Sequence, residues 1–143
     1  MRPADDDRHA LASLDLPDQH GLARDRLLAL GFHADIPRLL KTLDVSVSAS
    51  THGEGLTGAV RESLAMGTPV ISTAVAGNVE IVRHAARSML VPPGDAEALA
   101  AAMLRCLEDP AAARARAERG LAEVRDRLTA RRRAESMTGI YRD

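Results

Sequence analysis

Residues 44–66 constrain this chain more than any other stretch of it. Asp44 to Ala49 (DVSVSA) reads as a β-strand, with Val45 and Val47 at period two and β-branched side chains suited to a pleated, buried surface. Residues 57 to 66 read as a helix, with Leu56, Val60 and Leu64 four apart on one face. Between them lies a loop with Gly53 and Gly55. A strand that feeds through a glycine loop into an amphipathic helix is the first half of a parallel β-α-β unit. The rest of the chain repeats the alternation. Leu27 to Phe32 is expected as a buried strand ending at Gly31, followed by a helix from Asp35 through Leu43 that tolerates Pro37 in its first turn. Gly67 closes the helix at 57–66, and Pro69 to Thr73 is the next strand. Asn78 is expected to cap a short helix at 79–86, with Glu80 in its first turn, before a strand at Met89 to Val91 that Pro92-Pro93-Gly94 ends. Asp95 caps a helix at 96–108, Pro110 starts another to about Leu128, and Thr129 caps a last one to about Tyr141. The pattern predicts an α/β fold: a Rossmann-like parallel sheet flanked by helices.

The loop at 53–56 and the helix start after it have chemistry of their own. Glycines let backbone approach a ligand closely. Amides of a helix's first turn have no intrahelical partner and carry partial positive charge, which suits phosphate. Glu54 and Glu62 bracket this turn. Relative to Val60, Glu62 is rotated by about 200° at ~100° per residue, away from the apolar stripe. Gly58 lies one turn earlier on the same side. Helical side chains lean toward the N-terminus, so Glu62 is expected to reach back over Gly58 toward the loop. A carboxylate there can accept both donors of a sugar cis-diol. Taken alone, the pair is a loose pattern that a solvated helix surface would also produce.

Bulk properties exclude several classes. The chain has 143 residues, enough for one domain with a core. Hydrophobic residues make up 45% but aromatics only 1%, so the core must be built from Ala, Leu and Val. A net charge of −1 gives no global field favouring nucleic acid. From Ala111 onward nine basic residues face five acidic ones, but few aromatics stand ready to stack on bases, and mixed charge fits solvated helix faces. Cys106, the single cysteine, is expected as a buried thiol on a helix face shared with Leu99, Met103 and Leu107. The five histidines are scattered without metal-ligand spacing, so no metal is expected. No G-x-G-x-x-G follows a strand, which disfavours a dinucleotide-dependent dehydrogenase. No run approaches a membrane span and no signal-peptide core follows Met1. A cytoplasmic protein is expected, with room for peripheral contact at the inner face of the membrane. Residues 1–11 are polar and expected to form a poorly ordered tail, leaving 12–143 as the domain.

The words around the two glutamates are more specific than the pair. Ser48-Ala49-Ser50, Glu54-Gly55-Leu56, Arg61-Glu62-Ser63-Leu64-Ala65-Met66-Gly67-Thr68-Pro69-Val70-Ile71-Ser72-Thr73, Ala76-Gly77-Asn78-Val79-Glu80 and Leu90-Val91-Pro92-Pro93-Gly94-Asp95 occur in this order. The series resembles the C-terminal, donor-binding domain of the GT-B retaining glycosyltransferases of family 4. Upstream, Gly21 to Phe32 and Asp35-Ile36-Pro37 resemble the same family, so the likeness covers roughly residues 12 to 143.

The resemblance implies a nucleotide-sugar donor as substrate, no cofactor, no metal, and transfer of the sugar to a hydroxyl with retained configuration. It assigns the ribose hydroxyls to Glu62. Glu54 goes to the transferred sugar and its reactive face, as an electrostatic or positioning group. Gly55, Leu56, Thr57 and Gly58 line the sugar and diphosphate, and His33 lies near the base with Asp35 close by. Three departures stand out. Ala76-Gly77 replaces the usual Gly-Gly, and His84 to Ser88 has no glycine. The family's Arg/Lys pair for the diphosphate, its acceptor-binding N-terminal domain and the first two strands of this domain have no counterpart here; Lys41 is the only lysine and is misplaced for that role. The expectation is a donor-binding half truncated at its N-terminus, working with a missing domain or a partner chain. The competing expectation is a non-catalytic nucleotide-sugar-binding or partner-dependent subunit. A weaker third is an Arg-rich nucleic-acid binder.

Overall fold

A computed structural model describes residues 20, 21, 23, 26–28, 30–52, 57–81, 90–127 and 129–140. The chain divides into two units, Met1–Ile36 and Pro37–Asp143, at the start of α1 (Ile36–Leu40). In the first unit, the strand expected at Leu27 to Phe32 is not found. The described residues there adopt no strand, and Leu28 and Phe32 are 78% and 73% exposed. A strand needs a hydrogen-bonding neighbour. No strand among the described residues pairs with this stretch.

The second unit is the α/β body. After α1 come β1 (Ser46–Ser48), α2 (Gly58–Met66), β2 (Val70–Thr73), α3 (Ala76–Ile81), β3 (Leu90–Val91), α4 (Ala96–Glu108), α5 (Pro110–Arg127) and α6 (Ala130–Ile140). The strands form one parallel sheet in the order β1-β2-β3. Val47 pairs with Ile71 and Ser72 with Leu90. Parallel neighbours require crossovers, and α2 supplies the first.

Alternation along β2 sends Val70 and Ile71 to opposite faces, and each begins a separate cluster. On one face Val60 and Leu64 of α2, Val70, Ile81 of α3 and Val124 of α5 pack together. On the other, Ile71 and Val91 meet Ala102 and Cys106 of α4 and Ala113 of α5. α5 therefore serves both faces. Deleting a buried side chain such as Leu64 would cost about 2–5 kcal/mol.

The sequence placed the apolar side of α4 one column out. Cys106 is buried, but its companions are Ala102 and the half-buried Ala98 and Leu99, while Met103 and Leu107 are exposed. Small side chains at 98, 102 and 106 let the helix lie close on β2 and β3. Val47, expected in the core, is 40% exposed because β1 ends the sheet. Its edge has no pairing strand among the described residues.

α2 ends as its sequence demands. Gly67 adopts φ 70° and its amide donates to the Leu64 carbonyl, while the Thr68 amide donates to Ser63. The Thr68 hydroxyl then donates to the Leu40 carbonyl at 2.9 Å, tying α1 to the turn before β2.

Candidate functional site

Ligands of open parallel sheets sit beyond the carboxyl ends of the strands. In the second unit that end holds the β1–α2 connection, the N-terminus of α2, and the turn from β2 into α3. Thr57 is the N-cap of α2, with φ −64° and ψ 118°, and its side chain caps nothing. Its hydroxyl oxygen is buried and has no partner among the described residues. The first turn contains no acidic residue. The first backbone bond of the helix runs from the Arg61 amide to the Thr57 carbonyl, so the amides of Gly58, Ala59 and Val60 have no intrahelical acceptor.

Glu62 is exposed and folds back along the helix. A methyl group added at Gly58 would stand 3.6 Å from Glu62 Oε1. The carboxylate therefore lies over the first turn, the direction expected from its position on the helix. Gly58 leaves open the space beneath it. Ser63, on the buried side, anchors the helix: its hydroxyl donates to the Ala59 carbonyl at 2.8 Å and shares a 2.9 Å hydrogen bond with the Ser46 hydroxyl of β1.

The turn after β2 is tied to the loop after β1. The Thr73 hydroxyl donates to the Ser50 carbonyl at 2.6 Å, with the Ser48 carbonyl at 3.5 Å. Asn78 was expected to cap a helix at 79–86. Instead it sits inside α3, fully buried, and its amide donates to the Ser72 hydroxyl at 2.7 Å and the Thr73 carbonyl at 3.2 Å. Two good acceptors at the end of β2 outcompete the local capping geometry, so α3 begins three residues earlier and Glu80 leaves the first turn. The carbonyl oxygen of the Asn78 side chain has no partner among the described residues. Thr51 Oγ1 and His52 Nδ1, 2.8 Å apart, form a further exposed pair in the loop.

Of the residues singled out in the sequence, Thr57, Gly58 and Glu62 come together at the start of α2. Glu54, Gly55 and Leu56 lie outside the described residues. His33 and Asp35 are exposed and belong to the first unit. Sequence reasoning missed Ser50, Thr73 and Asn78. Ser72 alone signalled a need, since it occupies a sheet position facing the Val70 cluster where a buried hydroxyl requires a partner, but it did not say which residue supplies one.

The profile of the family described as glycosyl transferases group 1 matches residues 5–109. The chain belongs to this family. A 2-deoxystreptamine N-acetyl-D-glucosaminyltransferase of Streptomyces fradiae is 43% identical over 84 residues, which are 57% of this chain and 20% of that protein. An Escherichia coli UDP-Gal:alpha-D-GlcNAc-diphosphoundecaprenol alpha-1,3-galactosyltransferase is 34% identical over 86 residues, 60% of this chain and 22% of that protein. Among solved structures, Anabaena Alr3699/HepE in complex with UDP superposes with a TM-score of 0.80 at 26% identity, over 95% of this chain and 38% of that one. The same Anabaena protein has been solved with UDP-glucose. The fold is thus that of the GT-B glycosyltransferases, whose C-terminal part this chain resembles. It spans about a fifth of the length of the curated relatives it matches.

Proposed function

We propose that this glycosyl transferases group 1 chain binds a nucleotide-sugar donor at the start of α2, for transfer of a hexosyl group to a hydroxyl with retained configuration. The observation that carries the reading is Glu62 folded over Gly58 above an uncapped helix N-terminus. A carboxylate acceptor beside three free amides matches the two polar ends of a nucleoside diphosphate, a ribose diol and a pyrophosphate. Glu62 would take the ribose hydroxyls. The amides of residues 55–58 would take the diphosphate. Glu54 would stand beside the transferred sugar. The Anabaena complexes with UDP and UDP-glucose support a uridine nucleotide as the first donor to test. The reading involves neither metal nor cofactor, since helix amides can supply the positive potential a diphosphate needs.

In this reading the chain is a donor-binding part that works with an acceptor-binding domain or partner chain. Transfer needs the acceptor hydroxyl held against the donor, an effect worth about 7–11 kcal/mol of barrier. The coverage of its relatives and the open edge of β1 support that view. It accommodates the alternative of a non-catalytic subunit, which would bind donor equally but never turn it over. Nucleic acid is not among the proposed partners, because arginines of α6 pair with carboxylates, Arg131 with Glu135 at 2.9 Å and Arg132 with Asp126 at 3.6 Å. No helix among the described residues is long and apolar enough to cross a membrane. A cytoplasmic protein resting on the inner face of a membrane is part of the proposal, and the diphosphoundecaprenol in the name of the E. coli relative supports the membrane contact alone.

The test is calorimetric titration with UDP-, GDP- and ADP-sugars, followed by transfer assays of the chain alone and fused to the upstream part of a related full-length enzyme. Donor binding by the chain and turnover only by the fusion are expected. Failure of every donor to bind would overturn the reading, and binding without turnover in any fusion would select the non-catalytic alternative.

A further inference from the structure

We infer that Thr73 is a positioning residue for the β1–α2 loop, holding the loop's entry so that the start of α2 stays open toward a ligand. Thr73 is the last residue of β2 and is 3% exposed. Its hydroxyl donates to the Ser50 carbonyl at 2.6 Å. Ser50 lies two residues beyond the end of β1, past the ladder that pairs Ser46 to Ser48 with Val70 to Ser72. This bond therefore extends the tie between the two strands by side chain where backbone pairing has stopped.

The threonine is itself fixed from behind. Its carbonyl accepts from the fully buried Asn78 amide at 3.2 Å, and the same amide donates to Ser72 Oγ at 2.7 Å. Its main chain is paired on the far side as well, since Thr73 is the register partner of Val91 and the next amide, that of Ala74, donates to the Val91 carbonyl at 2.8 Å. A hydroxyl borne by a strand end clamped on both sides is a rigid reference point. The Ser50 carbonyl it captures is the first fixed point of the connection that leads to Thr57. At the other end, Ser63 binds α2 to β1 through Ser46. Both ends of the connection are thus pinned to the sheet by hydroxyls. Thr73 would touch no substrate. Its effect passes through the Ser50 carbonyl.

Its influence on affinity rests on the nucleotide-sugar reading, while its influence on the loop does not, and two measurements keep these apart. Thr73→Val preserves shape and removes the donor. Thr73→Ser restores the donor. The first measurement needs no ligand: amide hydrogen exchange over residues 49–52 reports loosening of the loop's entry, read by mass after digestion. Thr73→Val should exchange there at least about fivefold faster than the parent and Thr73→Ser within about twofold of it, a ratio consistent with loss of one hydrogen bond. Leu99→Ala, a deletion on α4 against the face of the sheet opposite α2, controls for general destabilisation: it should lower the melting temperature without selectively speeding exchange there. The second measurement is UDP-glucose affinity by calorimetry, expected to fall about three- to tenfold in Thr73→Val and to recover in Thr73→Ser. Exchange of Thr73→Val at the parental rate, or equal acceleration by Leu99→Ala, would overturn the positioning role. Should the parent bind no UDP-glucose, the functional reading fails and the exchange rates still decide this one.

Discussion

Two helices of the same body begin in opposite ways. α4 is sealed: Asp95 accepts the Ala98 amide at 2.8 Å, and Glu97 adds a second carboxylate to the first turn. α5 and α6 are closed by the same device, with Asp109 accepting from Ala112 at 2.9 Å and Thr129 from Arg132 at 3.2 Å. α2 also starts with a residue able to cap, yet Thr57 leaves its hydroxyl unused and the first turn without negative charge. Capping contributes about 1 kcal/mol and neutralises the positive end of the helix. Where a helix only supports the fold, this chain uses that contribution. Where a strand's carboxyl end opens onto solvent beside Glu62, it forgoes it. Under the proposed function, the forgone cap is what separates the helix that meets the donor from the helices that only support the fold.

The contrast can be attacked at several points. The largest effect is expected at Glu62. A charged acceptor contributes about 1.5–3 kcal/mol per hydrogen bond, so Glu62→Gln should weaken UDP-glucose binding about tenfold or more in calorimetry, at an unchanged melting temperature. Equal affinity would remove Glu62 from the site. Next comes Thr57→Asp, which would make α2 resemble α4. It should raise stability by about 0.5–1 kcal/mol in urea unfolding and lower UDP affinity severalfold by placing a carboxylate where the diphosphate belongs. A stabilised variant with undiminished affinity would show that the amides of α2 are not used. Asp95→Ala should do the converse, costing about 1 kcal/mol in urea unfolding and leaving UDP-glucose affinity alone. A still smaller change is expected for Thr57→Ala, within about 0.5 kcal/mol of the parent, since no bond is lost. A loss near that of Asp95→Ala would mean that Thr57 caps in solution. Last, EDTA should not change UDP-glucose affinity at all. A drop would reinstate a metal.

Much of the fold was legible in the sequence because its signals are local. Asp95 and Pro110 set the starts of α4 and α5, Gly67 ended α2, and the alternation gave parallel pairing. Features that depended on distant partners were not legible. Leu27 to Phe32 has the composition of a buried strand, but composition does not supply a neighbour to pair with. Met103 and Leu107 repeat at helical spacing, yet burial followed the small residues Ala98, Ala102 and Cys106 that permit close approach to the sheet. Of the site, Glu62 over Gly58 could be read from helix geometry alone. The Thr73–Ser50 and Asn78–Ser72 bonds could not, because each links residues whose proximity exists only once β1, β2 and α3 are assembled.

The family match ends at residue 109, one residue before α5 begins. Yet α5 places Ala113 in one hydrophobic cluster and Val124 in the other, with Ala117 fully buried between them along the helix. It works as a clasp closing two compartments at once, so neither face of the sheet can open while it is docked and both lose a wall when it leaves. A chain cut where the recognisable family sequence stops would keep every residue proposed for the donor and lose the cooperativity that holds them in register. The end of the profile match and the end of the folding unit are different places in this protein, separated by the eighteen residues of α5 that any minimal version must retain.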